Sequence, residues 1–543
     1  MKRRAAPGWL AVGATVSATL VAIGVGLGLG LAAGDKPREA AGAPRLVEEA
    51  VAAGLEHVYD GEFNFFVGGG VAVLDCDRDD RPDMYIAGGS RPAALMRNQS
   101  QPAAALRFAR VPGPATDLTM VTGAYPLDVD GDGHVDLAVL RVGENVLLRG
   151  LGDCRFERAN EAWSFDGGDA WTTAFSASWD TGAAWPTLAL GNYLDESSTD
   201  NARLCFDNEL VRPAAEAGFG QPVALAPGWC TLSMLFSDWD RTGRRDLRVS
   251  NDRHYYSDYG DGQEQLWRVG SDGQPQPYAG EDGWRPLRIW GMGIATADVT
   301  GDGFPEYFLT SQGDNKLQTL SEGPARPTYH DIALRSGVTA HRPIAGGDEL
   351  PSTAWHAEFA DVNNDGLLDL YVAKGNVEAQ PDYAERDPNN LLLGQPDATF
   401  LEGAETAGIV HYARTRGAAL ADFNVDGMLD LVEVNRRENV TLWRNVGAGS
   451  AERPEPMGNW LSVRLRQAEG NVDALGAWVQ VRVGERMVER ELTVGGGHAG
   501  GQLGPLHFGL GSAAGADVRV IWPDGETGRW LRFDANQSVV VER

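Results

Sequence analysis

The sequence has few cysteines and few histidines, 4 and 9 among 543 residues, and the histidines are scattered along the chain. It has no HExxH, GxSxG or cysteine–histidine motif of the kinds that mark zinc proteases and hydrolases. A lone histidine outside such a motif is usually structural. These absences disfavour catalysis and leave binding or scaffolding as the favoured functional class.

Positive charge is also scarce. Lysine and arginine number 47 against 76 acidic residues, which gives a formal net charge of −29. Because such a chain repels the phosphates of DNA and RNA, we expect no nucleic-acid partner. Acidic residues that do not belong to specific sites would help to keep an exported protein soluble.

The chain has one long apolar run, from residue 8 to about residue 33, with basic residues at positions 2–4. It exceeds the roughly 20 residues that span a bilayer, and the basic residues favour a cytoplasmic N-terminus. We expect a membrane anchor helix within residues 1–34, and favour it over a signal peptide cleaved near residues 31–33. In either case the rest is exported, with residues 35–45 as a linker.

A nine-residue acidic motif is abundant and organises the chain. Its six copies read DCDRDDRPD from Asp75, DVDGDGHVD from Asp128, DWDRTGRRD from Asp238, DVTGDGFPE from Asp298, DVNNDGLLD from Asp361 and DFNVDGMLD from Asp422. An oxygen-bearing side chain recurs at motif positions 1, 3, 5 and 9. Alternate spacing turns the first three toward one point, and the fourth closes the ring from the next strand. Clustered hard oxygen ligands suit Ca²⁺.

We therefore predict six calcium loops. The predicted ligands are Asp75, Asp77, Asp79 and Asp83; Asp128, Asp130, Asp132 and Asp136; Asp238, Asp240, Thr242 and Asp246; Asp298, Thr300, Asp302 and Glu306; Asp361, Asn363, Asp365 and Asp369; and Asp422, Asn424, Asp426 and Asp430. Strand-forming residues follow each loop and position 12 lacks Glu, which excludes the EF-hand. Asp80 replaces the usual turn glycine. Thr242, Thr300 and Glu306 are expected to weaken their sites.

The spacing of the loops predicts seven repeats. Consecutive loops begin 53 to 63 residues apart, except for the 110 residues from Asp128 to Asp238. The segment SWDTGAAWP, from Ser178 to Pro186, lies in that gap and keeps only Asp180, at position 3. It is interpreted as a repeat that kept the fold and lost the metal.

Each repeat has four short apolar segments separated by turns rich in glycine and asparagine, which predicts a seven-bladed β-propeller over residues 46–446. A short helix is predicted at residues 46–55, LVEEAVAAGL, with related segments ending at Val338 and Ile409.

After a linker at residues 447–458 the pattern changes. The alternation in LSVRLR, WVQVRV and DVRVIW predicts a small β-sandwich-like C-terminal domain over residues 459–543. Its GGGHAGG segment, residues 495–501, does not lead from a strand into a helix as a phosphate loop does. We expect a flexible loop there, with shaping of a ligand site as the alternative.

Four cysteines allow three pairings, and free buried thiols are the alternative. Cys205 and Cys230 flank an irregular segment and are the favoured disulfide. Cys76 lies between two predicted ligands and is expected to point away from the metal.

The repeats resemble FG-GAP/VCBS repeats, as in the propeller of integrin α subunits, whose outer loops carry Ca²⁺. The patterns GAWVQVRV, LHFGLG and VIWPDG resemble the ASPIC/UnbV domain, which follows such repeats in the cartilage acidic protein family and its bacterial relatives. The chain lacks an EGF-like cysteine module, which favours a bacterial-type member. The resemblance implies a calcium-dependent extracellular scaffold.

We therefore expect an extracytoplasmic calcium-binding scaffold that binds an unidentified protein or glycan, for instance in adhesion. The alternative is a polysaccharide-active enzyme or a subunit of one. A tryptophan cluster at residues 163–185 could stack on sugars, although core packing is the commoner role.

Overall fold

The computed structural model describes residues 40–195, 197, 204–214, 217–252, 263–270 and 274–543. The regular secondary structure of these residues is almost entirely β-strand, which confirms the all-β prediction. The predicted anchor or signal segment, residues 1–34, lies outside the described residues. Within the described ranges, no helix is long and apolar enough to cross a bilayer.

Seven four-stranded antiparallel sheets precede the C-terminal module. In chain order the first six are β2 Val71–Leu74, β3 Asp83–Ile86, β4 Ala94–Asn98 and β5 Phe108–Arg110; β6 Val121–Leu127, β7 Asp136–Arg141, β8 Val146–Gly150 and β9 Phe156–Arg158; β10 Thr172–Ser178, β11 Thr187–Asn192, β12 Asn208–Val211 and β13 Val223–Leu225; β14 Thr231–Ser237, β15 Asp246–Asn251, β16 Gln265–Arg268 and β17 Gln276–Pro277; β18 Gly291–Ala297, β19 Glu306–Ser311, β20 Lys316–Leu320 and β21 Tyr329–Asp331; and β22 Ala354–Ala360, β23 Asp369–Lys374, β24 Asn390–Gly394 and β25 Phe400–Glu402. The seventh combines β26 Thr415–Ala421, β27 Asp430–Asn435, β28 Thr441–Asn445 and β1 Leu46–Glu48.

The first strands of these sheets lie side by side around a common axis. Each contacts the first strand of the next sheet, and β26 of the seventh sheet contacts β2 of the first. Their residues are almost all buried. The arrangement is propeller-like, as the repeat spacing predicts, and neighbouring sheets bury the faces that a single sheet would leave exposed.

The N-terminal strand completes the seventh sheet. Leu46 lies opposite Asn445, and β1 runs antiparallel to β28. The predicted helix at residues 46–55 is therefore wrong. The open edge of β28 supplies backbone partners for β1, and these tertiary hydrogen bonds outweigh the local helix preference. The two related segments do contain short helices, α1 Ala333–Ser336 and α2 Ala404–Ala407.

The C-terminal module consists of two further sheets. Its strands are β29 Asn459–Arg466, β30 Trp478–Val483, β31 Arg486–Glu491, β32 Leu506–Gly511, β33 Gly515–Ile521, β34 Leu531–Asp534 and β35 Gln537–Glu542. The orders are β32-β29-β35 and β31-β30-β33-β34, and only β29 and β35 pair in parallel. Leu461, Val479 and Trp522 share one buried cluster with Tyr125 and Phe175 of the second and third sheets, so the module and the seven sheets have a continuous core.

Candidate metal loops and the docked C-terminal module

All six predicted metal loops occupy the same place in their sheets. Each begins one residue after the first strand ends, and its position 9 is the first residue of the second strand. Asp136, for example, begins β7 and is fully buried. This placement brings the carboxylate of position 9 back over the loop that precedes it, as the motif spacing predicts.

The backbone at positions 4 and 6 is left-handed in all six loops. The residues concerned are Arg78, Gly131, Arg241, Gly301, Asn364 and Val425 at position 4, and Asp80, Gly133, Gly243, Gly303, Gly366 and Gly427 at position 6. Asp80 adopts a φ of 61°, so it occupies the glycine conformation at a small cost, since aspartate tolerates this region better than most residues. In the segment from Ser178 to Pro186 only Gly182 has positive φ, and Asp180 is exposed.

Loop amides hold the carboxylates in place from one side. Asp128 accepts hydrogen bonds from the amides of Gly131 and Gly133, at 2.8 and 2.7 Å. Asp136 accepts from the amides of Val129 and Gly150, both at 2.7 Å. The same pattern recurs in the other loops, and it leaves carboxylate oxygens free to face one another.

Two loops bring three carboxylates together with ligand atoms within 4.8 Å of one another. They are Asp75, Asp77 and Asp83 in the first loop, and Asp128, Asp130 and Asp136 in the second. In the loops from Asp361 and Asp422, asparagine takes position 3, and the four predicted ligands of the Asp361 loop are all buried.

Buried oxygen atoms without a hydrogen-bond donor mark position 3. The carboxylate of Asp77 accepts no well-aligned hydrogen bond and has the exposed Arg97 as its ion-pair partner. The Oδ1 atom of Asn424 is buried and has no hydrogen-bond partner. A buried polar oxygen is costly unless it is paired, and a hard cation would satisfy the Asn424 oxygen and could bind Asp77 alongside Arg97. The residues present therefore fit Ca²⁺ at these loops.

Burial and mutual repulsion perturb the same carboxyl groups. Burial raises the pKa of Asp83 to about 8. Burial, followed by the charge of Asp473 in the C-terminal module, raises the pKa of Asp128 to about 7. Burial and then Asp426 raise the pKa of Asp422 to about 7. Carboxyl groups packed in this way are stabilised in the ionised form only when a cation lies among them.

The Asp238 loop differs because one arginine spans positions 3 and 9 of its acidic cluster. In the first two loops no described arginine forms an ion pair with position 9, and Arg149, for example, pairs with Asp130 and Asp132 at positions 3 and 5. Arg244 lies 3.3 Å from Asp240 and 3.2 Å from Asp246. Asp246 also accepts hydrogen bonds from Trp239 Nε1 and Tyr278 Oη at 2.9 and 2.6 Å. The guanidinium supplies the counter-charge that a metal would otherwise supply, so the four predicted ligands here fit Ca²⁺ poorly.

The Asp298 loop is also internally satisfied. Glu306 accepts hydrogen bonds from the Thr300 hydroxyl at 3.1 Å and the Thr319 hydroxyl at 2.7 Å. Asp302 is exposed. The longer glutamate therefore turns toward its own sheet instead of a shared centre, and the weak site expected from the sequence stays a prediction.

Both disulfides lie in the part of the chain that forms the seven sheets. Cys205 and Cys230, the pair favoured by the sequence, are joined. Cys76 is joined to Cys154, which ties the first metal loop to the turn before β9 of the next sheet. Sequence reasoning missed this second pair because the two residues lie 78 positions apart in different repeats.

The C-terminal module sits on the face formed by the metal loops. Asn364, at position 4 of its loop, lies 2.6 Å from His507 Nε2 through its Oδ1 atom, and its carbonyl accepts from the amide of Gly511 at 2.9 Å. Its Nδ2 atom donates to the carbonyl of Gly427 in the next loop, at 2.7 Å. A Cβ on Gly509 would lie 2.0 Å from Asp361 Oδ2, so β32 runs directly against a predicted ligand.

Further contacts join the module to other loops. Arg241, at position 4 of the Asp238 loop, pairs with Glu489 at 2.6 Å and lies over the ring of Trp478 at 3.7 Å. Arg464 lies 3.9 Å from Asp75 and 3.6 Å from Asp80. The loops are therefore a docking platform as well as candidate metal sites.

The glycine-rich segment of the module enters the axis of the ring. Val494, Gly497, Gly500 and Gln502 form bridges to β10, β18, β6 and β2, which belong to four different sheets. His498 is fully buried, so the prediction of a flexible loop is wrong. Glycine lets the backbone approach the inner strands closely, and their peptide groups then bind it on several sides.

The His498 ring is held on all sides. Its Nε2 atom accepts from the amide of Gly68 at 3.1 Å, and its Nδ1 atom lies 3.1 Å from the carbonyl of Met292. The ring packs against Trp355 with centroids 5.0 Å apart. Burial lowers the pKa of His498 to about 3, so the imidazole is neutral and structural.

The tryptophan cluster belongs to the core. Trp163, Trp171 and Trp179 are buried, and Trp163 packs edge-to-face on Trp185 with centroids 5.5 Å apart. The burial of these rings supports a role in core packing rather than in stacking on sugars.

Comparison with known proteins assigns the C-terminal module. Residues 467–543 match the family model described as ASPIC and UnbV. The chain is 27% identical over 248 residues to cartilage acidic protein 1 of Mus musculus, covering 44% of this chain and 34% of that protein. The Homo sapiens protein of the same name matches at 27% identity over 44% of this chain and 33% of that protein. The chain thus spans about a third of the length of these relatives.

One solved structure with a related arrangement is a lectin from Agrocybe aegerita that recognises non-reducing terminal N-acetylglucosamine. It is 15% identical, covers 71% of this chain and 92% of its own, and has a TM-score of 0.40, too low to support an argument about function. The FG-GAP/VCBS identity of the preceding repeats stays a prediction. The predicted resemblance is confirmed at the C-terminus: residues 467–543 match the ASPIC and UnbV family model, in a chain similar to cartilage acidic protein 1.

Proposed function

We propose that the chain is a calcium-stabilised, seven-bladed β-propeller scaffold that works outside the cytoplasm and binds a protein or glycan ligand. The metal part is supported by the buried Oδ1 atom of Asn424, at position 3, which has no hydrogen-bond partner, and by the three-carboxylate clusters of the loops that begin at Asp75 and Asp128. The four loops that begin at Asp75, Asp128, Asp361 and Asp422 are the proposed calcium sites.

Export is supported by covalent chemistry and by sequence. Two disulfides join loops between the strands, and such bonds persist in oxidising compartments. The basic residues and apolar run within residues 1–34 fit an export signal or anchor.

A scaffold role fits the geometry better than catalysis at the ring axis. The glycine-rich segment and His498 enter the axis and bridge the inner strands of four sheets, which leaves a cavity of about 240 Å³ between those strands and the module. We place ligand binding on outer surfaces of the sheets or of the C-terminal module as part of this proposal. The resemblance to cartilage acidic protein 1 is consistent with this role.

Calorimetric titration of the chelator-treated protein with Ca²⁺ tests the metal part. We expect about four sites with dissociation constants of order 10⁻⁴–10⁻³ M, as in extracellular modules. Asp180→Ala is the matched control, because that residue stands at position 3 of the loop that has no other acidic ligand. A titration without binding heat or stoichiometric uptake would exclude the proposal.

A glycan array and a protein pull-down, each run with Ca²⁺ and with chelator, test the ligand part. Specific, calcium-dependent retention of one glycan class or one protein supports the scaffold role. Turnover of a polysaccharide by the purified protein would instead establish the enzyme alternative.

A further inference from the structure

Three arginines lie close together on one face of the four-stranded sheet of the C-terminal module. Arg482, Arg519 and Arg532 belong to β30, β33 and β34, which are neighbouring strands of that sheet. Arg482 lies opposite Asp517, and Asp517 lies opposite Arg532, so these side chains share a face. Arg519 lies two residues from Asp517 along β33, which places it on the same face. These three arginines are called the arginine patch.

Trp530 holds two of the arginines beside each other. The guanidinium carbons of Arg482 and Arg519 lie 4.3 and 4.4 Å from the centre of its ring. Cation–π contacts of this kind orient guanidinium groups and offset part of their mutual repulsion. The two cations are therefore held near each other in the protein without a ligand.

The arginine patch has few protein partners. Asp517 is the one carboxylate that pairs with it among the described residues, at 3.1 Å from Arg482 and 3.7 Å from Arg532. Arg519 donates through Nε to Gln480 Oε1 at 2.6 Å. The side chains of Arg482 and Arg532 are 41% and 60% exposed. Because a guanidinium has several N–H donors in a planar fork, most donors of the patch remain available to a ligand.

The other carboxylates of this face do not neutralise the patch. Glu489 is paired with Arg241, Glu491 accepts a hydrogen bond from Ser237, and Asp534 is exposed at the end of β34. The patch therefore carries excess positive charge in a chain whose net charge is −29. At physiological ionic strength, charges more than about 8 Å apart are largely screened. The local excess thus decides which ions bind at this face.

We propose that the arginine patch binds the sulfate or carboxylate groups of an acidic polysaccharide. Planar guanidinium groups bind such oxyanions through paired N–H···O contacts. Neighbouring strands lie about 4.8 Å apart, so arginines on three strands present a row of donors that an extended chain of anionic sugars can follow. The inference rests on the proposed ligand-binding role of the module's outer surface and names the ligand class. It does not depend on calcium.

Binding of the whole protein to dextran sulfate, to polygalacturonate and to neutral dextran of similar length tests this. The measurement is made in chelator, so that calcium cannot bridge protein and polymer. We expect retention on at least one acidic polymer, with an affinity that falls as the NaCl concentration rises, and no retention on neutral dextran. No retention on either acidic polymer would overturn the inference. Calcium uptake, measured separately on the same sample, decides whether the proposed calcium scaffold stands.

Two substitutions test the patch itself. Arg482→Gln and Arg532→Gln each remove one exposed cation, and together they should weaken binding at least tenfold while the midpoint of thermal unfolding stays close to that of the unaltered protein. Arg155→Gln is the matched control, because this arginine is also exposed and pairs with one aspartate, Asp153, in the turn before β9. Unchanged binding in the double variant would contradict the inference.

Poly-glutamate distinguishes an acidic polysaccharide from an acidic peptide. We expect it to bind more weakly than the better of the two acidic polysaccharides. Tighter binding of poly-glutamate than of both polysaccharides, lost in Arg532→Gln, would assign the patch to an acidic peptide and overturn the inference.

Discussion

Position 3 separates the proposed metal loops from the others at the scale of single residues. Asn424 has a buried oxygen without a hydrogen-bond partner, and Asp77 is buried with the exposed Arg97 as its ion-pair partner. Asp240 instead accepts from the Thr242 hydroxyl at 2.7 Å and lies beside Arg244. Asp180 is exposed and has no acidic companions in its loop. Oxygen-bearing side chains at motif position 3 thus occur in three different environments.

Replacing Asp77 with alanine should affect stability in opposite ways with and without calcium. With free Ca²⁺ tenfold above its dissociation constant, loss of one site should cost about 1.4 kcal/mol. In chelator the variant should be as stable as the unaltered protein or more so, because relief of the repulsion between Asp77 and the neighbouring Asp79 and Asp83 offsets loss of the ion pair with the exposed Arg97. Chemical denaturation in both conditions measures this, with Asp180→Ala as the control. A variant that is equally destabilised in both conditions would contradict the assigned role.

A buried ion pair gives the seventh sheet a pH-dependent contribution. Burial opposes ionisation of Glu433, but His411 at 2.8 Å and hydrogen bonds from Thr441 and Tyr371 lower the pKa of Glu433 to about 2. Burial alone would lower the pKa of His411, but Glu433 reverses this and raises it above 6.5.

The sign of each shift sets the pH window. The contribution of Glu433 is present above its usual pKa of 4.5 and is lost as the pH falls toward 2. That of His411 is present below 6.5 and is lost as the pH rises through its raised pKa.

His411→Asn should therefore cost the most stability between about pH 4.5 and 6.5, by about 1–3 kcal/mol, and less at pH 9. Unfolding free energies of the two proteins at pH 5.5 and 9 measure this. An equal difference at both values would argue against the charged pair.

Strand β1 is the element on which closure of the ring depends. Without it β28 would be an exposed edge, and Leu46, which is buried against the sixth and seventh sheets, would lose its site. The local sequence around residue 46 favours a helix, so its role as a strand follows from the distant edge that it covers. That edge belongs to the last of the seven sheets, where Leu46 lies opposite Asn445, and sequence patterns within one repeat do not contain this information.

Deletion of residues 1–49 should destabilise the protein by about 2–5 kcal/mol, because it removes a strand and a buried leucine. Deletion of residues 1–39 is the control, since it leaves β1 in place. Thermal unfolding of the two truncated proteins measures the difference. Equal midpoints would mean that β1 does not close the ring.

The repeat spacing in the sequence predicts the architecture of the seven sheets, but it does not predict how the C-terminal module contacts them. Motif copies such as those at Asp128 and Asp361 predict the number of sheets and the place of each loop. The docking of β32 on Asn364 and the entry of His498 into the axis depend on contacts more than 100 residues apart. The glycine-rich sequence around His498 is the only local signal, and glycine permits close backbone approach as readily as flexibility.

We propose that calcium binding at the metal loops stabilises the ring and the C-terminal module together. Thermal unfolding of the purified protein in 10 mM Ca²⁺ and in chelator tests it most directly. With dissociation constants of about 1 mM, each of the four proposed sites should add about 1.4 kcal/mol, so calcium should raise the midpoint by several degrees in a cooperative transition. Identical unfolding curves in calcium and in chelator would contradict the account.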